Sequence, residues 1–334
     1  MLFRSAKMIP SPGSLLVIRI DHIGDVVMAT SVLAPLRKAF PEARIDLMVP
    51  SWAQCLLSDE ASISGLKVFD APWFRRERRG LWYGIRGFLD MVRIIKRGEY
   101  DAVVDLRGDA RHILASFLAG VKYRISYGIT GLGFLLTHEV PYDENAHEID
   151  KNAALLGPLG IRCEEAQVGL VPSKKSELEA ENIRKKEGID RPYAVLHMFS
   201  GRKEKNWTPE GFAGVIDYLQ TQKKLLPVIV GSKEDSVYIK GVARKTPQKV
   251  IDLSGKVNLN VLGPLMKNAE IFIGLDSAPA HIAAVSGVQT IILFSGVNDP
   301  ARWAPRGENV MVIYPGEGKS LDTIAPEEVI REIG

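Results

Sequence analysis

The sequence predicts an α/β chain made of two Rossmann-like domains of parallel sheet facing each other across a cleft. Three observations carry this. First, a strand–loop–helix–strand order opens the chain: apolar Leu15–Ile20, polar Asp21-His22-Ile23-Gly24-Asp25, amphipathic Val26–Phe40 stopped before Pro41, then apolar Ile45–Val49. That order begins a βαβ unit and so a parallel sheet. Second, the pattern restarts around Gln167–Ser173, and 334 residues suit roughly two domains. Third, in both halves polar residues follow apolar strands, which is where open α/β sheets bind ligands. The halves share an architecture without a detectable sequence repeat. The domains are therefore drawn at residues 1–166 and 167–334.

Composition narrows the class. Hydrophobic residues at 46% and charged residues at 25% are those of an ordinary globular protein. A net charge of +3 is too weak to imply nucleic acid. Cys55 and Cys163 have no metal spacing and form no disulfide framework, which fits a reducing compartment. Arg19 and Asp21 interrupt the first apolar run, leaving it too short for a signal segment or a membrane span. A cytosolic protein is expected, with any membrane association peripheral.

Taken in order, Ala102–Leu106 is a later strand of the first half, and Arg107-Gly108-Asp109 leaves its carboxyl end. Before it, Trp73, Phe74, Trp82, Tyr83 and Phe88 are interleaved with Arg75, Arg76, Arg78, Arg79, Arg86, Arg93, Lys96 and Arg97. Such a run is either a solvated helix face with snorkelling arginines or a surface for an anionic membrane, a phosphorylated lipid or nucleic acid. Only Glu77 and Asp90 offset the cations, which favours the anionic partner and places Trp73–Arg97 on the first domain's rim.

In the second half, Ser176 with Glu179 reads as a capping box for a helix ending near Gly188. Tyr193–His197 is a strand, followed by the polar loop Ser200–Trp207 and a helix opened by Thr208-Pro209-Glu210. Pro227–Val230, Val250–Leu253, Ile271–Gly274 and Thr290–Phe294 complete the strands. After Ile271–Gly274 come the N-cap residues Asp276 and Ser277, then Pro279 and the small residues Ala280, Ala283 and Ala284. A helix N-terminus at a sheet's carboxyl edge is a ready anion site, and Asp276, Ser277 and His281 stand at its mouth. An ordinary N-capped helix with a satisfied histidine is the other reading of the same residues.

The sequence has no G-x-G-x-x-G after its first strand, no Walker A motif, no H-E-x-x-H, no zinc-type Cys/His cluster and no G-x-S-x-G elbow. What it has are Ile-Arg-Ile-Asp-His-Ile-Gly-Asp-Val-Val through Asp25, Asp105-Leu106-Arg107-Gly108-Asp109, and Lys205-Asn206-Trp207-Thr208-Pro209-Glu210. Gly231 to Glu234, Asp252-Leu253-Ser254-Gly255 and Asp276-Ser277-Ala278-Pro279-Ala280-His281 follow. In order and spacing, over nearly the whole chain, these resemble the glycosyltransferase family 9 enzymes, which move heptose from ADP-heptose onto lipopolysaccharide core and have the two-domain GT-B architecture.

The resemblance implies inverting transfer, with Asp25 as general base and Gly24, Arg107 and Asp109 on the acceptor side. Read by residue type, Asp25 could instead cap the following helix, whose dipole would lower its pKa. The resemblance also implies Lys205 on the donor's phosphates; the other reading is one more surface lysine beside Arg202 and Lys203. Ser200 and Gly201 would bind phosphate, and Glu234 would hold sugar or ribose hydroxyls, with Lys233 in that place if the alignment slips by one. Asp276 would orient the sugar, with Ser277 and the Ala278 N–H on phosphate and His281 in the same turn. Ala278 stands where the family commonly has glycine, which narrows close approach.

No cofactor is required on this reading, and a divalent cation is possible without a dedicated metal site. The implied partners are ADP-heptose or a related nucleotide sugar, a phosphorylated lipopolysaccharide precursor and an anionic membrane surface, placing the enzyme at the inner face of the inner membrane. The last helix would pack back on the first domain. Competing readings are a two-lobed anion binder without chemistry, a family member using another nucleotide sugar, and a sugar-nucleotide epimerase or dehydrogenase, which the missing glycine fingerprint disfavours.

Overall fold

The computed structural model describes residues 8–74, 80–162 and 166–334. It divides into two compact units, Met1–Val171 and Pro172–Gly334. Among the described residues each unit holds one sheet of six strands, all paired in parallel. In the first unit these are β1 (Ser14–Ile18), β2 (Arg44–Val49), β3 (Gly65–Val68), β4 (Ala102–Asp105), β5 (Tyr123–Ser126) and β6 (His138–Glu139). The second has β7 (Tyr193–His197), β8 (Leu226–Ile229), β9 (Ile251–Asp252), β10 (Ile271–Leu275), β11 (Gln289–Leu293) and β12 (Val310–Ile313). The central strands are near-continuous apolar runs because helices cover both faces of such sheets, and Leu15, Leu16, Val17 and Ile18 are fully buried.

The sheet orders are β3-β2-β1-β4-β5-β6 and β12-β11-β10-β7-β8-β9. Counted from each unit's own first strand they are the same order, that of the doubly wound dinucleotide-binding fold. In both, the chain starts in the middle, grows outward one way, then returns to grow the other way. The reversal leaves a crevice beyond β1 and β4 in one unit and beyond β7 and β10 in the other. Motif residues singled out from sequence leave those four strands: Gly24 and Asp25 after β1, Arg107 and Asp109 after β4, Ser200–Lys205 after β7, and Asp276–His281 after β10.

Several elements differ from expectation. The helix expected over Val26–Phe40 starts earlier and is broken into Ile23–Ala29, a 3-10 turn at Thr30–Val32, and Leu33–Ala39. Pro35 explains the break: it offers no N–H to the Ser31 carbonyl four residues back, and its ring crowds that carbonyl. The Thr30 hydroxyl donates back to Val27 O at 2.7 Å. Helix Lys174–Glu187 is capped by Ser173, whose hydroxyl accepts from the Ser176 N–H, rather than by the Ser176–Glu179 box. The last helix, Pro326–Ile333, buries Val329 and Ile333 in the core of its own unit.

Candidate active site

Beyond β1, the backbone turns at Arg19–His22 and enters helix Ile23–Ala29, so Gly24 and Asp25 lie in a first helical turn rather than a loop. Arg19 is the unexpected residue here. It is a buried cation at the end of an apolar strand, and such a charge persists only when paired and hydrogen-bonded. Its Nη2 donates to Asp25 Oδ1 at 2.8 Å and its Nη1 to Leu106 O at 2.8 Å. Asp21 lies 3.7 Å and Glu148 3.6 Å from the same guanidinium, and Glu148 is held from behind by Lys151 at 2.9 Å. Arg107 closes the group: its Nη1 donates to Asp21 Oδ2 at 2.9 Å and to Ile20 O at 3.0 Å.

Asp25 is therefore not the helix cap. The N-cap position belongs to His22, which makes no side-chain cap, and the Asp25 carboxylate accepts from Arg19 at Oδ1. Burial pushes the Asp25 carboxyl above the usual carboxylate range, with the Asp21 charge adding to it and Arg19 working against it. Asp21 goes the other way: burial opposes its charge, but the His22 hydrogen bond, Arg19 and Arg107 hold it low. Two carboxylates four residues apart are thus pushed apart in basicity, and the more basic is the one suited to taking a proton.

Trp73 and Phe74, expected to face a membrane, pack on Arg111 and Arg107 instead. The Phe74 ring meets the His22 ring edge-on at 5.2 Å and lies under the Arg107 guanidinium at 4.7 Å. Trp73 lies under Arg111 at 4.7 Å, and Arg111 grips Asp109 with two hydrogen bonds of 2.7 and 2.5 Å. Asp109 also caps helix Ala110–Leu118 by accepting from the Arg111 N–H. Arg107 and Asp109, expected on the acceptor side, are thus engaged with neighbouring protein groups. The expected contacts of Arg75, Arg76, Glu77, Arg78 and Arg79 lie outside the described residues, as does Cys163.

Beyond β7, the loop to helix Pro209–Thr221 is pinned at its far end. Trp207 is buried against Phe212 and donates Nε1–H to Ile324 O at 3.1 Å, while Thr208 caps the helix. The anchor turns Lys205 inward: it is 9% exposed, while Arg202 and Lys203 remain on the surface. Its Nζ donates to Asp276 Oδ2 at 2.5 Å, and Asn298 Nδ2 donates to the same oxygen at 2.8 Å. Ser200 closes the loop, its N–H donating to Asn206 Oδ1 at 2.6 Å.

Beyond β10, Ser277 takes the N-cap position of helix Ala278–Ser286 without capping it. Its hydroxyl is turned toward His197 Nδ1 and Leu275 O, each at 3.1 Å. Burial pushes His197 down to about 4, so the imidazole beneath the turn is neutral at pH 7. This helix end has no side-chain cap and no N–H at Pro279, and the Ala280 N–H donates to Ser277 O at 3.0 Å, so the Ala278 N–H and the positive dipole are what it offers an incoming anion. Ala278 is the first residue of that helix, and His281 lies inside it, buried.

Gly201 and Glu234 are exposed and are not brought against Lys205 or Asp276 by any contact the structure shows. Glu234 lies in the turn after β8, its carboxyl held below the usual range by its own backbone N–H and the Ser232 hydroxyl. The buried acid of that turn is Asp235, whose carboxylate accepts from the Ser232 N–H. Sequence reasoning missed Arg19, Glu148, His197 and Asn298 as site residues. Arg19 alone carried a signal, being a charge inside the apolar run Leu15–Ile20.

Among the described residues, Asp21, His22 and Asp25 form one group whose ligand atoms lie within 4.8 Å of one another. Two guanidiniums already face those two carboxylates, so the electrostatic demand for a cation there is small.

The family profile "Glycosyltransferase family 9 (heptosyltransferase)" matches residues 88–327. Lipopolysaccharide heptosyltransferase 3 of Escherichia coli is 27% identical over 308 residues, covering 90% of this chain and 88% of that one. The crystal structure of a family 9 glycosyl transferase from Veillonella parvula superposes with a TM-score of 0.84 at 23% identity, covering 96% of this chain and 95% of that chain. The E. coli ADP-heptose LPS heptosyltransferase II gives a TM-score of 0.78 at 21% identity, covering 96% and 97%. With the profile matched over most of its length, the chain belongs to glycosyltransferase family 9, the heptosyltransferases, and is a glycosyltransferase.

Proposed function

We propose that this enzyme transfers heptose, with inversion, from ADP-heptose to a hydroxyl of the lipopolysaccharide inner core. The observation that carries the proposal is the buried, basicity-raised Asp25 fixed by Arg19 at the crevice of the first unit. In the step proposed, the acceptor oxygen attacks the anomeric carbon and the carbon–oxygen bond to ADP breaks. The acceptor's proton passes to Asp25, and ADP leaves with the electron pair. Arg19 holds Oδ1, so Oδ2 is the oxygen suited to receive the proton.

In the second unit, Lys205 has ammonium donors beyond the one given to Asp276, and these suit the charge that grows on the leaving diphosphate. The uncapped helix at Ala278 and the hydroxyl of Ser277 suit the same phosphates, with Ser200 and Gly201 on the adjoining loop. Asp276, held by Lys205 and Asn298, is assigned to the sugar, and Glu234 to ribose or sugar hydroxyls. His281 supports the donor turn from within the helix. Gly24 allows the acceptor close to the Asp25 turn, while Arg107 and Asp109 shape that side through Asp21 and Arg111. No resident cation is assigned. The names of the family relatives support both donor and acceptor class. The acceptor is lipid-linked, so the reaction belongs at the cytoplasmic face of a membrane; among the described residues no helix is long and apolar enough to cross one.

The test is transfer from ADP-heptose to truncated lipopolysaccharide acceptors by purified protein and by Asp25→Asn. Turnover should fall about 10²–10⁴-fold, the usual worth of a general base, in a variant that stays folded. A variant that keeps most of its turnover removes Asp25 from the chemistry. Wild-type turnover only with other nucleotide sugars removes the donor assignment.

A further inference from the structure

Helix Gly80–Gly98 buries Met91 and Ile95 completely in the first unit's core, with Phe88 and Val92 packed beside them. At 100° per residue, the face opposite Met91 carries Trp82, Ile85 and Leu89 within about 60° of one another. Trp82 is 82% exposed, Leu89 44% and Ile85 40%. Interleaved on the same face are Arg86, Arg93, Lys96 and Arg97, all exposed. The helix contains one acid, Asp90, which pairs with Arg93 at 2.7 Å.

A surface helix normally turns a mixed-charge face to water. Helix Lys174–Glu187 does so: its lysines and glutamates balance, and Leu178 is its lone strongly exposed apolar residue. The face of Gly80–Gly98 instead joins an indole and two aliphatic side chains to four cations. Indole rings settle at the headgroup level of a bilayer, and Lys and Arg beside them are drawn to anionic lipid.

We propose that the Trp82–Ile85–Leu89 face of this helix is a docking surface for an anionic lipid bilayer, with Arg86, Arg93, Lys96 and Arg97 supplying the attraction. The sequence pattern alone spread this role over Trp73–Arg97. The structure withdraws Phe74 to Arg107 and Trp73 to Arg111, which leaves the docking face on the helix. The choice of a bilayer over a protein partner rests on net charge: four cations, one of them paired with the helix's single acid, are drawn to anionic lipid. The proposal draws on the preceding function only in that a lipid-linked acceptor gives docking a purpose.

The test is sedimentation of the full-length protein with phosphatidylcholine vesicles, with and without about 30% phosphatidylglycerol, at low and high salt. The variants are Trp82→Ser/Leu89→Ser and Arg86→Gln/Arg93→Gln/Lys96→Gln/Arg97→Gln, with folding checked by circular dichroism. Wild type should bind the anionic vesicles and lose most binding at high salt. The quadruple variant should bind at least about tenfold more weakly, and the double variant should lose the salt-resistant remainder.

Turnover on a deacylated, water-soluble acceptor should be unchanged in both variants. Absence of wild-type binding to anionic vesicles, or unchanged binding in the quadruple variant, overturns the proposal. So does a wild-type dimer in sedimentation velocity that Trp82→Ser/Leu89→Ser abolishes while vesicle binding persists, because the face then serves a second copy. Vesicle binding needs no heptose, so a protein that docks as described yet transfers no heptose refutes the function proposed above and not this surface.

Discussion

The crevices beyond β1/β4 and β7/β10 share one strand order and bury different things. In the first unit a guanidinium sits among three carboxylates, with a second guanidinium and the Phe74 ring over them. In the second, one lysine meets one aspartate, and beside them lie a neutral histidine and a helix end without a side-chain cap. The first environment raises the basicity of one carboxyl while keeping it fixed. The second leaves donor groups and a positive dipole for an anion. A common topology thus sets where ligands come, and the few residues after each strand set which chemistry they meet.

The largest test of that contrast is Arg19→Met. It would leave Asp21, Asp25 and Glu148 sharing buried negative charge, and breaking such a buried group costs about 3–5 kcal/mol. Urea unfolding should show a loss of that size, and Arg19→Lys should recover part of it by keeping the charge without the fork. Stability of Arg19→Met within about 0.5 kcal/mol of wild type would mean the cluster is solvated rather than buried.

Next comes Lys205→Met, which removes the cation without shortening the stem. Turnover should fall about 10²–10³-fold, as for other groups that meet charge formed in the transition state, and donor affinity should fall by much less. Equal losses in both would make Lys205 a ground-state binder only.

The smallest effect concerns His197. Its folded pKa of about 4 lies below the unfolded value of 6.5. Between those values the unfolded chain binds more protons, so stability falls as pH drops from about 6.5 to 4. The window spans about 2.5 pH units, or about 3 kcal/mol at most, and carboxylate titration overlaps its lower end. His197→Asn can keep a partner for Ser277 and should flatten the pH 5–6.5 part of the curve. An unchanged slope there in the variant would show that another group titrates.

Strand positions in the middle of each sheet were legible because parallel strands covered on both faces are unbroken apolar runs: Tyr193–His197 has the same bounds in sequence and structure, and β1, β2, β4, β10 and β11 fall within two residues of theirs. The strands β3, β5, β6 and β12 were not foreseen. They are short; β3, β5 and β6 carry little apolar pattern, and β12 is an apolar run of four residues, only partly buried at the sheet's edge.

At the sites, motif spacing located Asp25, Lys205 and Asp276, but side-chain partners came from residues far apart in the chain. Glu148 reaches Arg19 across 129 positions and Asn298 reaches Asp276 across 22, and no local pattern announces such pairs. Aromatic–arginine interleaving was visible, yet its two jobs were not separable. Trp73 and Trp82 look alike in sequence, and only packing tells the cover of a charge cluster from an exposed face.

The division of labour between the two crevices is the central claim, and one paired measurement reaches it most directly. ADP-heptose affinity by calorimetry and single-turnover rate with saturating acceptor are measured on wild type, Asp25→Asn and Lys205→Met. Asp25→Asn should bind the donor as wild type does while losing the chemical step, and Lys205→Met should affect both, the chemical step more. Donor affinity weakened in Asp25→Asn as much as in Lys205→Met, with a chemical step no slower, would contradict the assignment of proton transfer to one crevice and donor to the other.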